Sequence, residues 1–349
     1  MFDIRAYSFY YCIVSDPKLP DNLYDVLEVS PRARNGVIKA AYKVLIKEYH
    51  PDNDKGNTRI TKALNQAKAV LLDKDKRKQY DLVHNKLEGV IIGDFRVLER
   101  IAEGGFGKTY KGEHLLFKTP VCIKHGLKIS PQDEELLMEE ARAIWDLRHF
   151  GIPAIRNIVK LEDNSLALIM SYVPGPTLEK IIKKNKSIEP ETVCWILERV
   201  LNILKYLHYN GIVHGDVKPQ NIIIQPKSHM VVLVDYGLSL IRPTSSSCSK
   251  GYTPYFAPPE QMDGNVLLPQ SDFFSLAVTI IYALGGDINK KQIPVSVPDA
   301  IWDFIRRFLV RDILSRPDWQ KEDFTDTIRD LRIKVFGRRR SNLKPIPGF

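Results

Sequence analysis

The sequence predicts a multidomain protein, with a small all-α helical hairpin near the N-terminus followed by a larger α+β unit. Three observations carry this expectation. A length of 349 residues suits two or three domains. Two successive apolar stripes at helical spacing lie between residues 22 and 84. From residue 94 the pattern turns to strands broken by a glycine turn, and further on to long apolar helices. A hydrophobic content of 44% leaves enough apolar surface for large cores. The boundaries read as an aromatic segment over 1–21, the helical unit over 22–84 and a short linker over 85–93. The α+β unit follows over 94–335 and a basic tail over 336–349.

The first segment, "MFDIRAYSFYYCIV", carries Asp3 and Arg5 ahead of a short aromatic run. It lacks a signal-peptide core, and its apolar run is too short to span a bilayer. The run Phe273–Leu284 is also too short and is interrupted by Ser275 and Thr279, which predicts a buried core helix. Cys12, Cys122, Cys194 and Cys248 are far apart with no CxxC pair, as expected of free thiols in a reducing, cytoplasmic setting. The net charge of +9 suits an acidic protein surface as well as nucleic acid, and a solvated basic face is the ordinary reading of such a surplus, so nucleic acid is not an expected partner. The tail "RIKVFGRRRSNLKPIPGF" holds six basic residues and no acidic ones, which suits a disordered arm, the ordinary reading, or else a pseudosubstrate or a contact for acidic partners.

In "VIKAAYKVLIKEY", Ile38, Ala41, Tyr42, Leu45 and Tyr49 share one helical face, and Lys39, Lys43 and Lys47 recur every four residues on another. A second stripe, Ile60, Leu64, Ala67 and Leu71, predicts an antiparallel partner helix. The loop between them is "HPDNDKGN". Pro51 has no N–H and disfavours helical geometry at His50, so the first helix stops there.

Together, "LYDVLEVS", "AAYKVLIKEYHPD" and "LNQAKAVLLDKDKRKQYD" resemble a J-domain of the DnaJ type over about 65 residues. The resemblance implies that His50, Pro51 and Asp52 trigger ATP hydrolysis in a DnaK-type heat-shock chaperone. It also implies that the ridge of Lys39, Lys43 and Lys47 docks on an acidic patch of that chaperone. Segment 22–88 carries 14 Lys and Arg against 9 Asp and Glu, a sign that suits such a partner. No Gly/Phe-rich linker or zinc-binding cysteines follow, so the layout departs from that of a full co-chaperone.

In the larger unit, "FRVLERIAEGGFGKTYKGEHL" reads as strand, glycine turn, strand. Gly104, Gly105 and Gly107 let backbone amides approach a phosphate closely, and Ala102 stands where a further glycine would complete the G-x-G-x-x-G pattern. "VCIK" puts Lys124 on the next strand, and "DEELLMEEARAIWDLRHFGIP" reads as a helix with Glu139 and Glu140. "SLALIMSYV" is an apolar strand. A helix over about 191–209 leads into "IVHGDVKPQNIII", which places Asp216, Lys218 and Asn221 at fixed offsets between aliphatic runs. "MVVLVDYGLSL" ends a buried strand at Asp235. Phosphoryl transfer needs an in-line nucleophile and counter-charge on the moving group rather than covalent help. A carboxylate at 216 can take a hydroxyl proton, Lys218 can offset phosphoryl charge, and Asn221 and Asp235 are hard oxygen donors suited to Mg²⁺.

These motifs, with "GYTPYFAPPEQ", "SDFFSLAV" and "RDILSRP", resemble a eukaryotic-type Ser/Thr protein kinase over about 240 residues. The resemblance implies a two-lobed fold, with an N-lobe over about 94–173 and a C-lobe over about 174–335. It implies ATP and Mg²⁺ as cofactors and a protein substrate presenting Ser or Thr. By it, Lys124 holds phosphates and pairs with Glu140, with Glu139 as the fallback. Met170 guards the adenine pocket, and the backbone of Ser171 to Val173 meets the adenine edge. Glu260, Asp272 and Arg316 form a structural anchor, and His214 packs rather than acting as a base. Antibiotic-type kinases lack this last trio. A small-molecule phosphotransferase of aminoglycoside type and an ATP-binding scaffold or co-chaperone adaptor remain the alternatives.

Departures qualify the resemblance. Gly215 replaces an arginine that grips a phosphorylated activation loop in many kinases, so activity is expected without loop phosphorylation. Thr244, Ser245, Ser246, Ser247 and Ser249 lie in that loop. The connection from the buried helix, ending near Gly286, to "PDAIWDFIRRFL" is shorter than usual, which removes a region that commonly docks substrates and regulators.

Overall fold

The structure is a computed structural model that describes residues 23–29, 33–50, 58–84, 89–104, 107–126, 131–161, 165–337 and 346. The chain divides into two compact units at the Leu87–Glu88 boundary.

The first unit is helical. Helix α1 spans Leu23–Val26, α2 Asn35–Tyr49, α3 Thr58–Leu71 and α4 Lys74–His84. The two stripes face each other. Ile38 and Leu45 of α2 are buried against Leu64, Ala67, Val70 and Leu71 of α3, and Ala41, Tyr42 and Tyr49 are half-buried at the margin. Helix α2 stops where proline chemistry requires: His50 is extended, with φ −60° and ψ 140°. The unit is more than a hairpin, because α1 and α4 close its open side. Tyr24, Leu27 and Tyr80 join the core. Arg77 donates from Nε to the Tyr24 hydroxyl at 2.9 Å and from Nη2 to the Ala33 carbonyl at 2.8 Å. Tyr24 in turn donates to Asp81 Oδ1 at 2.5 Å, and burial together with that carboxylate pushes its phenol up to about 12.

The second unit begins with a six-stranded antiparallel sheet. Its strands are β1 Ile91–Ile92, β2 Phe95–Gly104, β3 Gly107–His114, β4 Pro120–Gly126, β5 Ile155–Lys160 and β6 Leu166–Ser171, in the order β1-β2-β3-β4-β6-β5. Helix α5 (Pro131–Ile144) crosses between β4 and β5. Strands β2 and β3 pair down to Gly104 opposite Gly107. Gly107 is obligatory, because a Cβ there would lie 2.3 Å from the His125 carbonyl oxygen.

The remainder is mostly helical. It holds α6 Leu178–Asn185, α7 Pro190–Tyr209, α8 Pro259–Met262, α9 Pro269–Ala283, α10 Asp299–Arg306 and α11 Phe324–Phe336. Two small ribbons pair β7 (Ile212–Val213) with β10 (Leu240–Ile241) and β8 (Ile222–Gln225) with β9 (Met230–Leu233). Helix α9 is buried along most of its length and lies in the core, as expected of the run that is too short for a membrane. Its Phe273 packs against Phe308, Phe324 and Trp319 with ring centroids 5.2–5.3 Å apart. Among the described residues no helix is long and apolar enough to cross a membrane. Helix α9 ends at Ala283, three residues short of the expected Gly286, and a connection over 284–298 that contains a turn bridged by Asp287 and Gln292 leads to α10. No further helix stands between them. Ile346 of the basic tail is buried in the main core, so at that residue the tail packs against the protein rather than standing in solvent.

Candidate active site

Three segments converge at the cleft. Strand β4 is pleated, so Lys124 points opposite to Ile123, which is buried in the sheet core. Its Nζ lies 2.5 Å from Glu140 Oε2 on α5 and 2.6 Å from Asp235 Oδ1. Glu140 is the residue that faces inward, at 2% exposure, and its Oε1 also accepts the Tyr236 amide at 3.4 Å. Glu139, one position round the helix, turns away and pairs with Lys250 at 2.7 Å. Burial alone would lower the Lys124 ammonium, yet the two carboxylates raise it above the ordinary range. Burial would likewise raise Asp235, and Lys124 overrides it, bringing the carboxyl to about 2. Glu140 stands above the ordinary carboxylate value because of its burial, with Lys124 opposing.

The second segment is the loop after β7. Asp216 accepts from Lys218 Nζ at 2.7 Å on Oδ2 and from the Thr253 hydroxyl at 2.6 Å on Oδ1. Lys218 also donates to Thr253 Oγ1 at 2.8 Å. Asn221 donates its amide nitrogen to the Asp216 carbonyl at 2.9 Å and to its Oδ2 at 3.0 Å. That fixes which end of the amide is nitrogen and leaves Oδ1 for another ligand. His214 is fully buried, its ring edge-on to Tyr236 at 4.8 Å, and burial lowers its imidazole pKa. It packs, as expected.

The loop is held from below by Asp272 on α9. Its carboxylate accepts the His214 and Gly215 amides, each at 2.8 Å, and faces His208 Nε2 at 2.8 Å. Trp319 Nε1 donates to His208 Nδ1 at 2.8 Å, which assigns the proton to Nε2 and makes His208 a neutral donor to Asp272. Gly215 stands at φ +74°, and a Cβ there would meet the Leu238 carbonyl oxygen at 2.7 Å and Leu267 Cδ1 at 3.3 Å. Beside it Val213, Leu240 and Leu267 form a small apolar cluster.

The third segment follows Asp235. Arg316 donates a bidentate fork to Glu260 at 2.7 and 2.8 Å and spends its other N–H groups on the carbonyls of Val310, Gln270 and Arg311. Gln261 bridges the Gly215 and Gly251 carbonyls at 2.8 Å each. Sequence reasoning missed His208, Gln261 and Lys250. Nothing in their spacing marks them, because each acts on a segment distant in the chain.

The remaining expected residues fall as follows. Gly104 ends β2, and Gly105 lies outside the described residues. Met170 is buried in β6 opposite Cys122. The Ser171 amide donates to the Ala154 carbonyl at 2.8 Å, and among the described residues the backbone of Val173 has no protein partner. In the first unit Lys39, Lys43 and Lys47 are exposed along α2, and His50 is exposed at its end. Pro51 and Asp52 lie outside the described residues.

A sheet lysine paired with a helix glutamate above, and an Asp–Lys–Asn loop with a strand-end aspartate below, define a two-lobed protein of the kinase fold. The chain belongs to the protein kinase family: residues 95–330 match the protein kinase domain. Residues 22–81 match the DnaJ domain. Similar proteins include the serine/threonine-protein kinase B of Synechocystis, 28% identical over 219 residues, which cover 57% of this chain and 38% of that protein. The serine/threonine-protein kinase PrkC of Bacillus subtilis is 30% identical over 205 residues, covering 57% and 31% respectively. The serine/threonine-protein kinase pkn3 of Myxococcus xanthus is 29% identical over 205 residues, covering 55% and 38%. The chain thus spans about a third of the length of these relatives.

Proposed function

We propose that this protein transfers the γ-phosphoryl group of ATP, with Mg²⁺, to Ser or Thr of a protein substrate, and that its J-domain engages a DnaK-type chaperone in the cytoplasm. The observation that supports this most is the convergence of Lys124, Glu140 and Asp235 in one ion-paired cluster, with Asp216, Lys218, Asn221 and Thr253 in a second. The donor chemistry fits a hard cation, because Asn221 Oδ1 is left over from the Asp216 contacts and the Asp235 carboxyl is held ionised. Bound Mg²⁺ would supply counter-charge to the phosphates.

In this reading Asp216 orients the acceptor hydroxyl and takes its proton. Lys218 offsets charge on the phosphoryl group, and Thr253 holds the activation segment to both. Lys124, pinned by Glu140, positions the phosphates beneath Gly104, Gly105 and Gly107. The adenine edge meets Ser171 to Val173. Glu260, Asp272 and Arg316 keep the substrate-facing segment and the catalytic loop in register. Exposed Lys39, Lys43 and Lys47 present the positive face that an acidic chaperone surface needs, with His50, Pro51 and Asp52 at its end.

The test is radiolabel transfer from ATP with Mg²⁺ to the protein itself and to a generic basic protein. Asp216→Asn should retain ATP binding and lose transfer by at least about a hundredfold. Equal labelling by wild type and variant would remove the catalytic reading. ATP binding without transfer by the wild type would leave a scaffold.

A further inference from the structure

Lys250 lies in the segment between Asp235 and Glu260, directly after the cluster Thr244 to Ser249. Its ammonium reaches Glu139 Oε2 on α5 at 2.7 Å and donates to the Ser239 carbonyl at 2.7 Å. The lysine side chain is 17% exposed and the glutamate 37%, so the pair is partly shielded from solvent. Ser239 is buried, and its hydroxyl donates to the His214 carbonyl at 3.0 Å. One side chain therefore joins the activation segment, the turn after the metal-donor Asp235, and the helix whose next residue, Glu140, pins Lys124.

The space beside Gly215 reinforces this. Where a cation could receive a phosphorylated loop, the protein has a glycine at φ +74° closed in by Leu238 and Leu267, and the neighbouring Leu240 is apolar. Neither residue 215 nor residue 240 offers a charge to a phosphate, yet the segment is held in place. Its polar ties are Lys250 to Glu139 and Ser239, Gln261 to Gly215 and Gly251, and Thr253 to Asp216.

We infer that Lys250 is a positioning residue that, through Glu139, clamps the activation segment to helix α5 and so keeps Glu140 on Lys124 without loop phosphorylation. The polarity is the reverse of a phosphate-operated loop: the loop brings the cation and the helix the anion. A phosphate on the adjoining Ser249 would compete with Glu139 for Lys250, so modification there is expected to weaken the clamp rather than set it. This inference deepens the kinase reading of the same site.

The experiment uses the full chain and two readouts. Hydrogen exchange is followed in α5 and over 240–253, and steady-state transfer is measured with ATP and a generic basic protein. In Lys250→Met and in Glu139→Gln, exchange should rise in both segments. There kcat should fall about fivefold with KM for ATP moving less than twofold, the scale of one partly shielded pair. The two changes combined should cost no more than either alone. Lys250→Arg should retain most of the activity, because it keeps a cationic donor for both Glu139 and the Ser239 carbonyl. Phosphatase treatment of the wild type should leave its rate unchanged. Unaltered exchange in α5 in both single variants, additive losses, or a phosphatase-sensitive wild type would each overturn the inference. If exchange responds as expected but the wild type transfers no phosphate, the clamp stands and the catalytic reading falls.

Discussion

Asp235 sits at φ +67°, a backbone region that costs a non-glycine residue on the order of 1–3 kcal/mol, so its neighbours must hold it there. Its side chain is tied to Lys124 through the 2.6 Å contact to Oδ1. The carboxyl titrates at about 2 in the folded protein against an ordinary 3.8. The native state therefore favours the ionised form, and its contribution to stability is present above about pH 4 and lost as pH falls towards 2. The side chain is 38% exposed to the cleft, so solvent screens part of the effect. Urea midpoints measured between pH 5 and pH 3 should fall for the wild type and fall less for Asp235→Asn. Parallel curves would show that the Lys124 contact does not bias this titration. Gly215 teaches the complementary lesson. Its identity first reads as the loss of an arginine, but the backbone itself favours glycine there.

Among the elements, α8 and the 3-10 turn Ile313–Ser315 are joined by one buried ion pair, Arg316 with Glu260. The Arg316 side chain has no exposed surface, and the 3-10 turn Ile313–Ser315 delivers it to Glu260 at the first turn of α8. All its donors are occupied, and its guanidinium lies 4.8 Å from the Phe274 ring. Removing one partner of such a pair strands the other without water. Arg316→Ala should therefore lower stability by about 3–5 kcal/mol, read as a lower thermal midpoint of the second unit. Arg316→Lys keeps the charge but not the fork and should fall between the two. A midpoint unchanged in Arg316→Ala would mean that α8 holds its place by packing alone. The shortened connection after α9 belongs to this scale too. Residues 284–298 hold a bridge between Asp287 and Gln292 and no helix.

The whole molecule joins two units, each with its own core, in one chain. Tethering raises the effective concentration of a partner held by one unit towards the other to about millimolar, which makes delivery of a chaperone or its client to the kinase an economical use of the fusion. His50→Gln should abolish the full chain's stimulation of ATP hydrolysis by a DnaK-type chaperone. In cells it should shift the set of phosphorylated proteins. Identical phosphoproteomes in wild type and variant would remove the delivery idea while leaving the kinase reading intact.

The sequence by itself determined what depends on local periodicity and short spacing. Ile38 and Leu45 against Leu64 and Leu71 follow from a 3.6-residue repeat, the stop at His50 from the proline after it, and the Asp216, Lys218 and Asn221 loop from offsets within one turn. The sequence already favoured Glu140 over Glu139 as the partner of Lys124; tertiary structure supplies the packing that sets this face, since the two residues differ by 100° of helix rotation. Tertiary structure alone decided the partners brought from far along the chain, His208 and Trp319 to Asp272, Gln261 to Gly215 and Lys250 to Glu139. Helices α1 and α4 escaped the hairpin reading for the same reason. Among the described residues these segments add only Tyr24, Leu27 and Tyr80 to the buried core, too few for an apolar period, and are tied further by the polar contacts of Tyr24, Arg77 and Asp81.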